Sequence, residues 1–397
     1  MCLALLATLL SLAQIAPVRN GNALTLPAAR HLVRLEPGRG HPTVELLALQ
    51  QDGAQGHGLG FFRSDDDGKH WSYYKPVQDD FSERDTVDLI SVGNDVALVY
   101  SYEGPVLSGS ARHNVFFQWW RFDGVDGWSP GAKVEVFASG SAQTAYSRAE
   151  LARDSLGRLW VQAMHLLADG THLLEISVST DRGATFAQQA PLDHLRSRPG
   201  GRLASLGTTL VMLYGTHGAH GASNPGRLRL RHDSDPLGNW GPVQTVLPEG
   251  LYHGAALSTV ADKAGGWHVV YKDLGGRLWY RHFDGTAFGN RQAVEPASDW
   301  ALQPAISLVG SDLVIFWNHP ISVNTDYQLR TRTLSRGVLG PVSTLDASTG
   351  FKGYPAAIEL LPAATPAVPC SYSATANAAS AGNQVLVLAG TGRRSAE

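Results

Sequence analysis

The 397-residue chain is poor in cysteine, methionine and charge. It contains two Cys and three Met, and Asp, Glu, Lys and Arg together make up 17% of it, against about 25% in typical soluble domains. Two cysteines supply neither a disulfide framework nor a Cys-based metal site. A formal net charge of -3 leaves no strongly basic surface for nucleic acid. No Gly-rich loop leads from a predicted strand into a helix, so no nucleotide site is expected.

Long apolar runs are also scarce, and the one at the N-terminus is too short to span a membrane. Residues 1–16 have the length of a signal peptide, with Ser11-Leu12-Ala13 as a small-residue cleavage motif. A signal peptide usually has a Lys or Arg before its apolar run, and none is present here, so a β-strand is the alternative interpretation of these residues. We therefore predict a secreted or periplasmic protein with one domain over 22–390 and a flexible tail over 391–397.

Glycine and aromatic residues are plentiful, and they recur in turn motifs. Residues 64–71 and 179–186 share the pattern Ser-x-Asp-x-Gly-x-x-aromatic. Ser and Asp side chains bond to nearby backbone N–H groups, Gly accepts a positive φ, and the aromatic ring anchors the turn. Related turns follow other apolar runs, and their glycines recur every 47 to 59 residues: Gly68, Gly124, Gly183, Gly238, Gly285 and Gly337. Such periodicity indicates a repeat architecture.

Four strand-like runs per unit of roughly 50 residues predict an all-β fold, a β-propeller of four-stranded antiparallel blades. Six turn motifs argue for six blades. Seven candidate first strands favour seven: His31–Leu35, Thr86–Val92, Ala149–Arg153, Arg202–Leu206, Ala255–Val260, Ala305–Val309 and Ala356–Leu361. In the last blade we predict a Pro/Ala/Ser-rich insert at 362–382 before a second strand at Gln384–Leu388. An N-terminal strand near Leu24–Leu26 would close the ring.

The repeated Ser-x-Asp-x-Gly-x-x-aromatic turns resemble the Asp boxes (bacterial neuraminidase repeats) of the sialidase superfamily. That superfamily includes sialidases, other glycosidases, polysaccharide lyases and non-catalytic members, and its Asp boxes lie opposite the active site. The resemblance implies an Arg-Ile-Pro motif on the first inner strand of a true sialidase, but the nearest position reads Ala29-Arg30-His31-Leu32-Val33. A shorter likeness, over 214–231, is to the His and Asn-Pro loops of propeller lyases.

Propeller topology places the Ser-x-Asp-x-Gly turns on one face and the starts of first strands and ends of second strands on the other, around the axis. That second face, which we call the mouth, is predicted to be rich in Arg, Lys, His, Tyr and Trp. Our catalytic candidates are Tyr214, His217, His253, Tyr354 and Glu103. Our substrate-binding candidates are Arg84, Arg148, Arg202, Lys272, Trp300, Trp317 and His319.

Two reactions suit this set of residues. A hydrolase needs two carboxyl groups, or a Tyr paired with a carboxylate as in sialidases, and Tyr146, Tyr354, Glu103 and Glu150 are candidates. A lyase that acts on uronates needs a cation, a base and an acid, for which Arg148 or Lys272, His217 or His253, and Tyr214 or Tyr252 are available. Aromatic faces and cations suit an acidic oligo- or polysaccharide.

The alternative to an enzyme is a non-catalytic lectin or protein-interaction propeller. A lectin of this kind predicts equivalent sites repeated from blade to blade, whereas the candidate residues differ between blades and favour one composite site. His217 and His220 are three residues apart, but such loop histidines are more often solvated than bound to zinc. We predict no cofactor, no bound metal and a monomer.

Overall fold

The computed structural model consists of β-strands arranged as seven antiparallel blades of a propeller. It describes residues 13–18, 24, 29–36, 38, 41–53, 56–78, 86–101, 114–125, 127–139, 144–196, 199–216, 225–252, 256–295, 303–322, 325–365, 367–377 and 380–390. Over these residues there is no helix that is long and apolar enough to cross a membrane. The seven antiparallel blades confirm the predicted seven-bladed fold.

The first four blades follow the chain from the axis outwards. Blade 1 contains Leu32–Leu35 (β2), Val44–Gly53 (β3), Gly56–Ser64 (β4) and Ser72–Gln78 (β5). Blade 2 contains Thr86–Val92 (β6), Asp95–Ser101 (β7), Val115–Phe122 (β8) and Trp128–Phe137 (β9). Blade 3 contains Ala145–Arg153 (β10), Leu159–Leu166 (β11), His172–Ser179 (β12) and a divided outer strand, Ala187–Gln188 (β13) and Asp193–Leu195 (β14). Blade 4 contains Pro199–Leu206 (β15), Thr209–Thr216 (β16), Gly226–His232 (β17) and Gln244–Leu247 (β18).

The last three blades complete the ring. Blade 5 contains Leu257–Ala261 (β19), Trp267–Lys272 (β20), Leu278–Phe283 (β21) and Gln292–Ala293 (β22). Blade 6 contains Pro304–Val309 (β23), Asp312–Ser322 (β24), Asp326–Ser335 (β25), and the short outer strands Val338–Leu339 (β26) and Ser343–Asp346 (β27). Blade 7 has the inner strands Phe351–Lys352 (β28) and Ala356–Ala357 (β29), then Ala367–Thr375 (β31), Gly382–Gly390 (β32) and Ala13–Val18 (β1). Leu360–Leu361 (β30) runs parallel to β23 of blade 6.

The two Ser-x-Asp-x-Gly turns join the third and fourth strands of blades 1 and 3 and have the same hydrogen bonds. In the second turn, Gly183 N–H donates to Ser179 Oγ (2.7 Å) and Thr185 N–H donates to Asp181 Oδ1 (2.9 Å). Gly183 has φ +84°, and a Cβ there would lie 2.4 Å from the Phe117 ring of blade 2. Only glycine suits this position, because the turn packs directly against the neighbouring blade.

The seventh blade corrects the predicted insert. Residues 362–382 contain a nine-residue strand, Ala367–Thr375, so the predicted second strand at Gln384–Leu388 is the third strand of its blade. The polar residues of β31 are satisfied inside the sheet: Gln384 donates to Ser371 Oγ (2.6 Å) and accepts from Ser373 (2.9 Å). Composition alone suggested a loop, because serines usually bond to water. Here the serines of β31 bond to a buried glutamine instead.

The ring is closed by β1, which pairs with β32 as the outermost strand of blade 7. This position lies upstream of the predicted closing strand; Leu24 is buried, and Leu26 lies outside the described residues. The strand spans Ala13–Val18, so removal of the predicted signal peptide, residues 1–16, would take four of its six residues. The signal peptide itself remains a prediction.

At the centre of the ring, the Asp88 carboxylate connects four blades. Its Oδ1 accepts hydrogen bonds from the Arg30 backbone N–H (2.8 Å), Arg30 Nε (2.8 Å) and Arg202 (3.2 Å). Its Oδ2 accepts from Arg30 (2.5 Å) and from the Leu151 N–H (2.8 Å). Arg202 also pairs with Glu359 of blade 7 (2.6 Å). Burial raises the pKa of Asp88, but Arg30 and Arg202 outweigh burial and hold it at about 2.

A second buried acid in the axial channel behaves differently. Glu150 is 3% exposed and accepts one hydrogen bond, from the Leu203 N–H at 3.2 Å. Burial raises the pKa of Glu150 to about 8, and the opposing attraction of Arg202 is weaker. Glu150 is therefore mostly protonated at neutral pH, whereas Asp88 carries the charge that the two arginines require.

Replacing Asp88 with Ala is expected to lower the free energy of unfolding by about 3–5 kcal/mol, because it leaves two buried guanidinium groups without their principal counter-charge. The control is Asp95→Ala, which removes a partly exposed ion pair with Arg121 (2.6 Å) and should cost about 1 kcal/mol or less. Thermal or urea unfolding of both variants measures the difference. Equal losses would show that Asp88 has no central role.

Replacing Glu150 with Gln is expected to flatten the pH dependence of stability. The folded-state pKa of about 8 lies above the usual value of 4.5 for a glutamate, so the stabilisation is complete below pH 4.5 and is lost as pH rises towards 8. The variant should match the natural protein near pH 4.5 and unfold at a higher temperature at pH 8. Parallel unfolding curves at all pH values would contradict the assigned protonation.

Candidate functional site

The mouth is formed by the connections from second to third strands and from fourth to first strands. Several of its connections fall outside the described residues, and five predicted site residues lie there: Arg84, Glu103, His217, His253 and Trp300. A cavity of about 340 Å³ lies at the other end of the axial channel, between the later halves of the inner strands, with Arg30, Arg202 and Glu359 in its wall.

Tyr214, a predicted catalytic residue, lies between blades 3 and 4. It is fully buried, and its phenol donates to Asp193 Oδ2 of blade 3 at 2.9 Å. Arg227 of blade 4 donates to the same oxygen at 2.7 Å. Burial and the Asp193 carboxylate raise the pKa of Tyr214, so the phenol keeps its proton as a structural donor.

The same arrangement recurs at later blade interfaces. An aromatic residue on the second strand donates to an acid at the end of the preceding blade, and a cation pairs with that acid: Tyr271–Glu249–Arg281, Trp317–Glu295–Arg330 and Tyr372–Asp346–Lys352. We call these sets interblade clasps. Their repetition explains Tyr214 and Trp317 as contacts that hold blades together, rather than as catalytic or ligand-binding groups.

Three further candidates, Arg202, His319 and Tyr354, lie in the core or at an interface between blades. Arg202 is 1% exposed and belongs to the axial ion pairs, not to the mouth. His319 lies beside a clasp, with Nδ1 3.6 Å from Glu295, and burial lowers its pKa. Tyr354 packs at the edge of the core between blades 6 and 7.

Lys272 is the buried cation at the mouth that best suits an anionic ligand. Its side chain is 1% exposed, its Nζ lies 3.6 Å from the centre of the Tyr252 ring, and it has no hydrogen-bond partner in the described part of the chain. Burial lowers the pKa of Lys272 to about 8, against the attraction of Asp273. A mostly protonated ammonium that is desolvated and lacks an acceptor favours a carboxylate or sulfate.

Blade 3 departs from the clasp pattern. Ala163 stands four residues into its second strand, as Tyr271 does in blade 5, so no aromatic ring fills the place. Tyr146 of the inner strand occupies this region instead and donates to Glu175 Oε2 of its own blade at 2.7 Å. His165 stacks on the Tyr146 ring with centroids 4.0 Å apart.

His165 is positioned by Glu175. Its Nδ1 lies 3.1 Å from Glu175 Oε1, and Gln188 donates to the other carboxylate oxygen at 2.6 Å. Nε2 of His165 is buried and has no hydrogen-bond partner among the described residues. A carboxylate that holds one ring nitrogen while the other is directed elsewhere is the arrangement of a general base.

Next to this cluster the inner strand is strained. Arg148 has φ +54°, at a break in register between Ser147 and Glu150. The other described non-glycine residues with positive φ, Asp67, Arg182 and Arg336, all lie in turns between third and fourth strands. A positive φ at a non-glycine residue within a strand costs about 1 kcal/mol or more, and such strain is concentrated at functional sites. Arg148, 7% exposed, remains a candidate ligand for an anion.

Sequence reasoning missed Glu175. The signal was available, since Glu175 stands in the middle of the apolar third strand His172-Leu173-Leu174-Glu175-Ile176. A charged residue at a buried strand position requires partners. Those partners, Tyr146 and His165, come from strands that only the folded blade brings together.

Comparison with known proteins shows the fold. No protein-family model and no curated protein matches the chain. Among solved structures, an ulvan lyase described as a new polysaccharide lyase family, PL25, matches with a TM-score of 0.59 at 12% identity, covering 95% of each chain. Its form bound to -[GlcA(1-4)Rha3S]- matches equally well. The Hadza microbial sialidase Hz136 matches with a TM-score of 0.50 at 11% identity, covering 93% of this chain and 66% of that one.

Replacing Tyr271 with Phe tests the clasps. Loss of the phenol leaves Glu249 paired only with Arg281, and it should lower the free energy of unfolding by about 1–2 kcal/mol. Binding at the mouth should not change. Thermal unfolding and glycan binding of the same preparation measure both effects. Lost binding with unchanged stability would assign the clasps to the site.

Proposed function

We propose that the protein cleaves an acidic polysaccharide at the mouth of the propeller by β-elimination, using the His165–Glu175–Tyr146 cluster of blade 3. The observation that carries this proposal is the orientation of His165 by Glu175 beside a protonated tyrosine. The similarity to an ulvan lyase and a sialidase adds support at the level of fold, since both are carbohydrate-active by name.

The cluster can perform both proton transfers of an elimination. Nε2 of His165 takes the proton from the carbon next to the uronate carboxylate, the freed electron pair forms the C=C bond, and the bond to the glycosidic oxygen breaks. Tyr146 then protonates the leaving oxygen. Burial raises the pKa of Tyr146, and the Glu175 carboxylate raises it further, so the phenol is a proton carrier at neutral pH.

The negative charge of a uronate requires a cation near the reacting carbon. Lys272 and Arg148 are the described candidates: Lys272 is buried without a hydrogen-bonded anion, and Arg148 adjoins the cluster on a strained strand. Withdrawal of charge from the carboxylate makes the neighbouring proton easier to remove. These cations give the proposal its substrate class, an acidic rather than a neutral glycan.

Hydrolysis is the second candidate because Tyr146 and Glu175 also form a tyrosine–carboxylate pair, at 2.7 Å. In that scheme Tyr146 would have to lose its proton and attack the sugar. The raised pKa of Tyr146 opposes transfer of its proton to the Glu175 carboxylate, which is a weak base, whereas in elimination the proton goes to the leaving alkoxide, a much stronger base. For this reason we prefer elimination.

The decisive experiment is mass spectrometry and ultraviolet absorbance of products after incubation with uronate- and sialate-containing polysaccharides. We expect unsaturated uronate products. His165→Gln and Tyr146→Phe should each lower kcat about 10²- to 10⁴-fold and retain the fold. Tyr271→Phe, which removes a phenol from a clasp, is the matched control and should keep its kcat.

Other outcomes are equally informative. Products that carry an added water would replace elimination with hydrolysis at the Tyr146–Glu175 pair. Intact glycans that nevertheless bind would make the protein a lectin. Unsaturated products from a fully active His165→Gln variant would place the base elsewhere.

A further inference from the structure

Three Asp-x-x-Gly turns in the described chain share one design, in which the Gly N–H donates to the Asp carbonyl oxygen and the Asp side chain caps the turn that follows it. In each turn, Asp Oδ1 accepts the N–H of the residue four positions later: Asp154 from Arg158 (2.9 Å), Asp262 from Gly266 (2.8 Å) and Asp273 from Arg277 (2.9 Å). The turns therefore provide an internal comparison for the second carboxylate oxygen, Oδ2.

In two of the turns a tryptophan six residues later satisfies Oδ2. The indole N–H of Trp160 donates to Asp154 at 2.7 Å, and that of Trp279 donates to Asp273 at 2.6 Å. In the third turn the residue six positions after Asp262 is His268, whose Nε2 lies 3.8 Å from Oδ2, beyond hydrogen-bond distance. A second histidine, His282, approaches the same oxygen to 2.9 Å.

We propose that Asp262, His268 and His282 bind a zinc-like divalent cation on blade 5, at the face opposite the mouth. Their ligand atoms all lie within 4.8 Å of one another. Zinc bonds of 2.0–2.1 Å in tetrahedral geometry separate ligand atoms by about 3.3 Å, and the two distances to Asp262 Oδ2, 2.9 and 3.8 Å, lie on either side of this value.

The surroundings of His268 orient it as a ligand. Its Nδ1 lies 2.8 Å from the Tyr280 hydroxyl, which leaves Nε2 directed towards Asp262. A hydrogen bond to the second nitrogen is the usual outer partner of a metal-bound histidine.

Gly266 keeps the space between the ligands open. A Cβ at this position would lie 2.5 Å from His282 Nε2 and 2.6 Å from Asp262 Oδ2. The corresponding residue of blade 3 is Arg158, whose guanidinium forms an ion pair with the Asp154 carboxylate at 2.6 Å. A glycine in place of this arginine removes the competing cation and admits a metal.

The donor set indicates the class of metal. Two imidazoles and one carboxylate favour zinc or a similar transition metal over magnesium and calcium, which prefer oxygen ligands. Water would complete the tetrahedron. Because the ligands come from a turn and two adjacent strands of one blade, we assign the ion a structural role, separate from the chemistry at the mouth.

The test measures the zinc content of the purified protein. After its metal has been stripped, the same protein is titrated with Co²⁺ and with zinc, and its absorbance and unfolding temperature are recorded. We expect about one zinc per chain, visible bands on Co²⁺ addition, and an unfolding temperature that rises with zinc concentration. Asp262→Asn and His282→Gln should abolish all three effects. The control is His232→Gln, which alters a histidine at the end of β17 whose Nδ1 lies 3.1 Å from Thr209.

Zinc bound no more tightly by the natural protein than by His282→Gln would overturn the proposal and leave an ordinary Asp262–His282 hydrogen bond. Loss of zinc binding in His232→Gln would show that the zinc is not bound by Asp262, His268 and His282 alone, and would overturn the assigned ligand set. Unfolding of each variant without metal establishes that it is folded. Glycan cleavage is not a readout here, so failure of the mouth proposal does not affect this result.

Discussion

The Asp88 carboxylate is the constraint on which the architecture depends. A propeller of seven blades brings seven inner strands to one axis, where their side chains line a narrow channel. Here charged side chains line the channel. Asp88 accepts five hydrogen bonds, and Arg202 pairs both with Asp88 and with Glu359 of blade 7. A buried ion pair stabilises a fold only when its hydrogen bonds are complete, so blades 1 to 4 and blade 7, which supply these groups, must hold their positions together.

Repetition distinguishes structure from function in this fold. Four blade interfaces join an aromatic residue, an acid and a cation in the same way, which explains several Tyr and Trp residues that otherwise suggest a binding site. Blade 3 lacks the clasp aromatic at Ala163 and instead gathers Tyr146, His165 and Glu175 beside the strained Arg148. The departure from the repeat carries the functional argument, because a repeated contact serves the ring and a unique one does not.

The two faces of the propeller carry different chemistry. The mouth combines an oriented histidine, a protonated tyrosine and buried cations, which together suit an acidic sugar. The opposite face has Asp-capped turns, one of which gathers two histidines in place of a tryptophan and an arginine. At about 12% identity to the solved structures, the fold is shared, and any function has to be argued from these side chains.

The sequence by itself determined the propeller, its first six inner strands and the two Ser-x-Asp-x-Gly turns, because strand periodicity and turn chemistry are local properties. The predicted seventh inner strand, Ala356–Leu361, is divided: Ala356–Ala357 pairs within blade 7, and Leu360–Leu361 pairs with β23 of blade 6. It also indicated the face on which ligand binding is proposed, since that follows from strand order. It misjudged residues 362–382, where buried serines pair with Gln384, and it did not indicate that Tyr214 and Trp317 belong to interblade clasps. Only the tertiary structure decided which residues meet across strands: Glu175 with Tyr146 and His165, and Asp262 with His268 and His282. Those contacts join residues 6 to 29 positions apart in the sequence, and the Asp262 contacts also depend on the space that Gly266 leaves open, so no local pattern specifies them.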